Sequence, residues 1–195
     1  MKLRRLLAGA LCIMGITAKA ETIVVGDSFA LGWPRFTNIP QHSRMGVGGS
    51  TAAQWARDQD GWLSRALKTD ADTAVVSLMA NDALLALQGD SVVSADEAMI
   101  AGQSLRKVVR ALQHSGKTVY IILYPVPMDS LWRYPRWLPH YVNRQIENAT
   151  GDLDVQYIDL TGILIDESHF VSRTDFHPSH RGYRLIAEHV EEILR

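Results

Sequence analysis

A single α/β domain on a parallel sheet is the fold class that the sequence predicts, on three observations. Apolar, β-branched runs of strand length recur along the chain, stretches of helical periodicity separate them, and no repeat, linker or low-complexity segment interrupts the alternation. Strands that alternate with helices pair in parallel through right-handed crossovers. About 175 residues are left once the N-terminus is set aside, enough for one well-buried domain and too few for two.

Residues 1–20 read as a signal peptide and residues 21–195 as the domain. Lys2, Arg4 and Arg5 make a positive start, Leu6 to Thr17 is an apolar run, and Ala18-Lys19-Ala20 matches an A-x-A cleavage site. A membrane span needs about 20 apolar residues, so this run is too short for an anchor. A lipoprotein signal around Cys12 fits poorly, with Gly9 where a Leu belongs and Leu11 where a small residue belongs. Cleavage after Ala20 and export to the periplasm or the medium are the expectation. Cleavage takes Lys2, Arg4, Arg5 and Lys19 from the 20 basic residues and nothing from the 21 acidic ones, leaving a formal charge of −5. No basic stripe is left to neutralise phosphates, which argues against a nucleic-acid partner. Cys12, the only cysteine, leaves with the signal, so the exported domain has no disulfide, Cys nucleophile or thiolate metal ligand.

The first strand is Thr22 to Val25. Ser43 to Val47 is a shorter, partly polar candidate, and Thr73 to Met79, Thr118 to Leu123 and Val155 to Leu160 are continuous and β-branched, as strands buried on both faces should be. Helices fill the intervals. Thr51 to Leu67 carries Trp55, Trp62 and Leu63 on one side, with Gly61 in its middle. Ala95 to His114 carries Met99, Leu105, Val108, Val109 and Leu112, and Gly116 stops it. Trp137 to Ala149 and Ser179 to Leu194 complete the set. Pro125 to Pro139 is the one irregular stretch.

In open α/β sheets ligands sit beyond the carboxyl ends of the strands. Gly26-Asp27-Ser28 follows the first strand, Gly46-Val47-Gly48-Gly49-Ser50-Thr51 the second, and Ala80-Asn81-Asp82 the third; Thr174-Asp175-Phe176-His177-Pro178 lies beyond the last. Ser28 alone suits either a helix N-cap or a nucleophile. Acyl transfer accounts for the whole set. A serine hydroxyl needs an imidazole to take its proton and a carboxylate to orient that imidazole. The tetrahedral oxyanion needs fixed N–H donors. Ser28, His177 and Asp175 supply the first group; the Ser28 and Gly49 N–H groups and the Asn81 amide supply the second.

The four blocks, in this order and across nearly all of the domain, resemble those of the SGNH, or GDSL-like, hydrolases. The resemblance implies a flavodoxin-like three-layer α/β/α fold of about five strands. It also implies Ser28 as nucleophile, His177 as base, Ser28, Gly49 and Asn81 as the oxyanion hole, and no metal or organic cofactor. Two positions depart from the family. Met79 stands where the third block has the Gly of Gly-x-Asn-Asp, and Asp175 is two residues before His177 where the last block is Asp-x-x-His. With one residue fewer, an extended segment would still point Asp175 and His177 to one side. The other arrangement is a Ser–His dyad in which a main-chain carbonyl orients His177.

Several residues have plainer readings. Gly46 to Gly49 is no phosphate cradle, since G-x-G-x-x-G fails at Thr51 and no P-loop Lys follows. Asn81 suits a turn as well as an oxyanion hole. His180 rivals His177, but two His without a third ligand do not make a metal site. Trp132, Tyr134, Arg136 and Trp137 are the candidates for substrate binding, flat faces for sugars or acyl chains and a guanidinium for an anion, with a packed surface loop as the alternative. The expected function is an exported serine esterase acting on a small-molecule or glycan ester, with short acyl groups such as O-acetyl on carbohydrate favoured by the lack of a lid insertion. Lysophospholipase, thioesterase and O-acyltransferase activities on the same site, and a degraded domain that only binds glycan, are the alternatives. Nothing in the sequence sets the oligomeric state.

Overall fold

The structure, a computed structural model, describes residues 21–88, 92–126, 137–172 and 175–195. The signal segment 1–20 lies outside the described residues, as do Trp132, Tyr134 and Arg136. Five parallel strands form the central sheet: β1 (Thr22–Gly26), β2 (Arg44–Gly46), β3 (Thr73–Ser77), β6 (Thr118–Leu123) and β7 (Val155–Asp159), in the order β2-β1-β3-β6-β7. Two short antiparallel pairs lie apart from it, β4 (Leu87–Gln88) with β5 (Val92–Val93) and β8 (Phe170–Ser172) with β9 (Asp175–Pro178). The helices are α1 (Ser28–Gly32), α2 (Ala52–Ala56), α3 (Trp62–Leu67), α4 (Ala80–Ala86), α5 (Ala95–His114), α6 (Trp137–Thr150) and α7 (His180–Ile193). Helices α2 to α6 pack against one another on one face, and α1, a 3-10 turn at Trp33–Phe36 and α7 cover the other. None of the described helices is long and apolar enough to cross a membrane.

The apolar runs become strands because both of their faces are covered. Ile23, Val24 and Val25 of β1, Ala74, Val75 and Val76 of β3 and Ile121 and Ile122 of β6 are fully buried. In-register pairing, Val24 with Val75 and Val75 with Tyr120, satisfies the backbone between them. On the covering face, Ala101, Leu105, Val108, Val109 and Leu112 form the buried stripe of α5, at helical spacing. Each large aliphatic side chain so buried contributes about 1.5–3 kcal/mol. The sheet is therefore a rigid platform, and both β1 and β3 end at its carboxyl edge.

Three features differ from the sequence reading. The helix expected over Thr51 to Leu67 is two helices. Asp58, Asp60 and Gly61 all have positive φ (56°, 52° and 70°), which stops α2 and redirects the chain before α3; aspartate is among the few residues that visit this region. Asn81, which also suited a turn, lies in the first turn of α4. Phe170–Ser172 and Asp175–Pro178, where the sequence reading placed only a motif beyond the last strand, pair as the antiparallel strands β8 and β9.

Candidate active site

The turn after β1 is built by three consecutive residues. At Gly26 φ is +143°, and a Cβ there would lie 1.9 Å from the Ser77 carbonyl oxygen, so only glycine lets the end of β1 approach β3 this closely. Asp27 N–H then donates to that same oxygen at 2.9 Å. The buried Asp27 carboxylate caps α1, accepting from Phe29 N–H at 2.9 Å, and Ser28 becomes the first residue of the helix. Cap and candidate nucleophile are thus neighbours: Asp27 takes the role that Ser28 also suited. As the first helical residue Ser28 has an N–H without an intrahelical acceptor.

His177 meets Ser28 from the far end of the chain. Its Nε2 lies 2.9 Å from Ser28 Oγ and its Nδ1 lies 2.6 Å from Asp175 Oδ1. The two-residue spacing works because residues 175–178 form β9, where alternate side chains project to one side. Asp175 Oδ1 also accepts from the His177 backbone N–H at 2.9 Å, and Phe176 between them stacks on the imidazole at 4.5 Å. Partial burial pushes the Asp175 pKa up, but the two hydrogen bonds from His177 and the electrostatic attraction of its ring outweigh that and hold the carboxyl below its ordinary value. His180 sits outside this group, exposed and edge-on to Phe36.

The glycine turn and Asn81 follow the next two strands, β2 and β3. Ser50 N–H donates to Val47 O at 3.1 Å, closing a turn with Gly49 at φ +74°, the left-handed third position of a type II turn. Asn81 Nδ2 donates to Ser50 O at 2.9 Å, using one of its two amide protons and tying the turn to α4. Ser50 Oγ donates to Gly26 O at 3.2 Å and accepts from Trp55 Nε1 at 3.0 Å. Asp82, beside Asn81, accepts from Ala52 N–H at 2.9 Å; burial raises its pKa.

The model of the GDSL-like Lipase/Acylhydrolase family matches residues 24–185. The chain belongs to that family. It is a hydrolase of ester bonds, on the five-stranded α/β/α fold that its structural neighbours share. A protein assigned to the G-D-S-L lipolytic family, from Desulfitobacterium hafniense DCB-2, is 14% identical at a TM-score of 0.69, over 89% of this chain and 99% of its own. The acetyl xylan esterase AlAXEase is 15% identical at 0.64, over 89% and 100%. A GDSL-like lipase from Bacteroides thetaiotaomicron VPI-5482 is 12% identical at 0.62, over 90% and 88%. No curated protein matches the chain.

In this GDSL-like hydrolase the departure at Met79 has a visible cost. Met79 has φ +95°, the region where glycine is at home, and it holds that backbone with a buried side chain. An apolar cavity is lined by Phe29 and Phe176, the chain neighbours of Ser28 and His177, and by Ala80, Leu84, Leu138 and Val142, among others. Trp137 is half-exposed and packs edge-on to Tyr141 at 5.8 Å, while its neighbours Leu138 and Pro139 line the cavity. Among the described residues no three His, Cys, Asp or Glu side chains gather as metal ligands.

Sequence reasoning missed the group beneath the nucleophile. Tyr124 Oη donates to Asp27 Oδ2 at 2.5 Å, and Ser77 Oγ donates to Asp27 Oδ1 at 3.1 Å. Complete burial raises the Asp27 pKa to about 6, against the pull of those hydrogen bonds, and burial beside that charge drives the Tyr124 pKa well above 10. Asp27 was legible in the Gly-Asp-Ser block. Tyr124 and Ser77 carried no signal, because Ser77 lies inside one apolar run and Tyr124 directly follows another, and each looks like strand filling.

Proposed function

We propose that this GDSL-like hydrolase is an exported serine esterase that removes short acyl groups, of about two to four carbons, from a carbohydrate or similar small alcohol. The observation that carries the reading is the unbroken hydrogen-bonded chain Asp175–His177–Ser28 at 2.6 and 2.9 Å. A His177 that holds its proton on Nδ1, facing Asp175, has a free lone pair on Nε2 for the Ser28 hydroxyl proton. Ser28 Oγ attacks the ester carbonyl carbon as that proton moves to Nε2. The carbonyl oxygen becomes an oxyanion received by the Ser28 and Gly49 N–H groups and the Asn81 amide. Collapse expels the alcohol, which takes the proton from Nε2, and leaves Ser28 acylated. Water, deprotonated by His177, then attacks the acyl-enzyme, and Ser28 departs with the proton.

The apolar cavity lined by Phe29 and Phe176 receives the acyl group. The lack of a lid insertion in the sequence supports short chains, and the charged start, apolar run and A-x-A site support export. An acetyl xylan esterase among the structural neighbours makes O-acetyl carbohydrate a reasonable first substrate to test. The experiment is turnover of p-nitrophenyl esters of graded length by wild type and Ser28→Ala. Wild type is expected to favour C2 to C4 esters, and Ser28→Ala to keep its circular dichroism and lose all turnover. Undiminished turnover in Ser28→Ala refutes the mechanism; a preference for C12 or longer refutes the substrate class.

A further inference from the structure

A second depression runs along β2, which is the end strand of the sheet. Trp55 and Trp62 form its aromatic wall, their rings 5.7 Å apart; Trp55 is fully buried and Trp62 half-buried. Gln41, His42, Arg44 and Arg65 supply polar groups, and among the described residues no Asp or Glu lines it. Arg44 is held in place before any ligand arrives: its Nε and Nη2 donate to Ile39 O at 3.1 and 2.7 Å, and its Nη1 to Gln41 Oε1 at 3.2 Å. A guanidinium has five N–H donors, so this fixed head still has two to offer. Arg65 is steadied in turn through Nη1 on Asp60 O at 2.6 Å.

We propose that this groove is a saccharide subsite: Trp62 presents a flat face to a sugar ring, and Arg44, Arg65 and Gln41 hydrogen-bond its hydroxyls. The inference rests on the esterase reading above and names the alcohol half of the ester as carbohydrate. The sheet order is the geometric reason. Ser28 follows β1, which lies between β2 and β3. The apolar cavity lies on the β3 and β6 side of Ser28, lined from α4 and α6, and the aromatic groove lies on the β2 side. The two halves of an ester leave its carbonyl carbon in different directions, so with the acyl group on the cavity side the alcohol portion is left to extend on the β2 side. The two sites also differ in chemistry in the way that the two halves do: the cavity is lined almost wholly by apolar atoms, the groove by aromatic faces and cationic donors. Val47 lines the groove and leads directly into the Gly48-Gly49 turn, and Trp55 anchors that turn through Ser50 Oγ at 3.0 Å.

The test separates binding from chemistry. Ser28→Ala is titrated with xylotetraose, mannotetraose and chitotetraose, none of them acetylated, and binding is followed by tryptophan fluorescence and calorimetry. At least one is expected to saturate in the low-millimolar range or tighter, and addition of Trp62→Ala to weaken it roughly tenfold, with Trp62→Phe restoring most of the loss because it keeps a stacking face. In turnover, Trp62→Ala and Arg65→Ala are expected to raise KM for an acetylated form of that oligosaccharide at least tenfold more than KM for ethyl acetate, whose alcohol is too small to reach the groove. An enzyme that cleaves ethyl acetate but binds no oligosaccharide up to about 10 mM, or whose Trp62→Ala losses are equal on both substrates, overturns the subsite while the esterase reading stands. An enzyme that cleaves no ester in either form fails at the earlier reading, and oligosaccharide binding then decides the groove by itself.

Discussion

Replacing Asp27 with asparagine should change how stability depends on pH. The amide keeps the shape of the carboxyl and can still accept from Phe29 N–H and Ser77 Oγ, while its NH₂ faces the Tyr124 hydroxyl, which can accept as well as donate. What the substitution removes is the ionisation. Burial raises the Asp27 pKa from its ordinary 3.8 to about 6, so between those values the folded chain holds a proton that the unfolded chain has lost. That gives a contribution to stability fully present below about pH 3.8 and lost as pH rises through about 6, worth about 3 kcal/mol in all. The side chain is 1% exposed, so solvent screening takes little from that figure. The assay is urea unfolding of wild type and Asp27→Asn from pH 3.5 to 8. The difference, variant minus wild type, isolates this one carboxyl from Asp175, Asp152 and Asp166, whose lowered values act in the opposite sense, and from Asp82. The variant should gain about 3 kcal/mol on wild type over that range, mostly between pH 4 and 6. A difference flat to within about 0.5 kcal/mol would show that Asp27 titrates normally and would refute the buried-charge account.

Three further outcomes are expected. Asn81→Ala should lower kcat by roughly 10²–10³ if its free amide proton meets the oxyanion, and a loss under about threefold would return Asn81 to holding Ser50 alone. Asp175→Asn should cost up to about 10⁴ in kcat beside an inactive His177→Ala; retention of more than about a tenth of wild-type activity would make the site a Ser–His dyad. Met79→Gly should relieve about 1–2 kcal/mol of left-handed strain and lose about 2–5 kcal/mol of buried side chain, for a net destabilisation of up to about 4 kcal/mol by urea unfolding. A more stable variant would mean that the strain outweighs the packing.

The main sheet was legible because its signal is local. Val24, Val75 and Ile121 sit in runs that are apolar on both sides of the alternation, and only a strand covered on both faces has use for such a run. The α2–α3 break was not, although Gly61 flagged it, because Asp58 and Asp60 look like ordinary exposed helix residues until their φ values are known. The blocks around Ser28, Gly49 and Asn81 could be placed at one edge because each directly follows a strand, and the block around His177 because it lies beyond the last one. The groove at β2 could not, since Gln41, Arg44, Trp62 and Arg65 come from two separate segments with no motif in either, and only the packing of α3 beside the edge strand assembles them.

The shortened spacing at the last block has its own internal logic. A residue lost from Asp-x-x-His takes away the slack that a turn would use to bring the carboxylate round to the imidazole. Here the backbone of β9 is extended, and Asp175 Oδ1 accepts from both the main-chain N–H and the ring Nδ1 of the same histidine. One oxygen therefore fixes two points of His177, and the Phe176 ring at 4.5 Å covers one face of its imidazole. With Nδ1 and one ring face held, rotation about the side chain is restricted and Nε2 stays directed at Ser28 Oγ, 2.9 Å away. A longer, more flexible turn would leave that direction to be set by the carboxylate alone. The short form sets it by strand geometry, which brings the Asp175 carboxylate to Nδ1 without a turn.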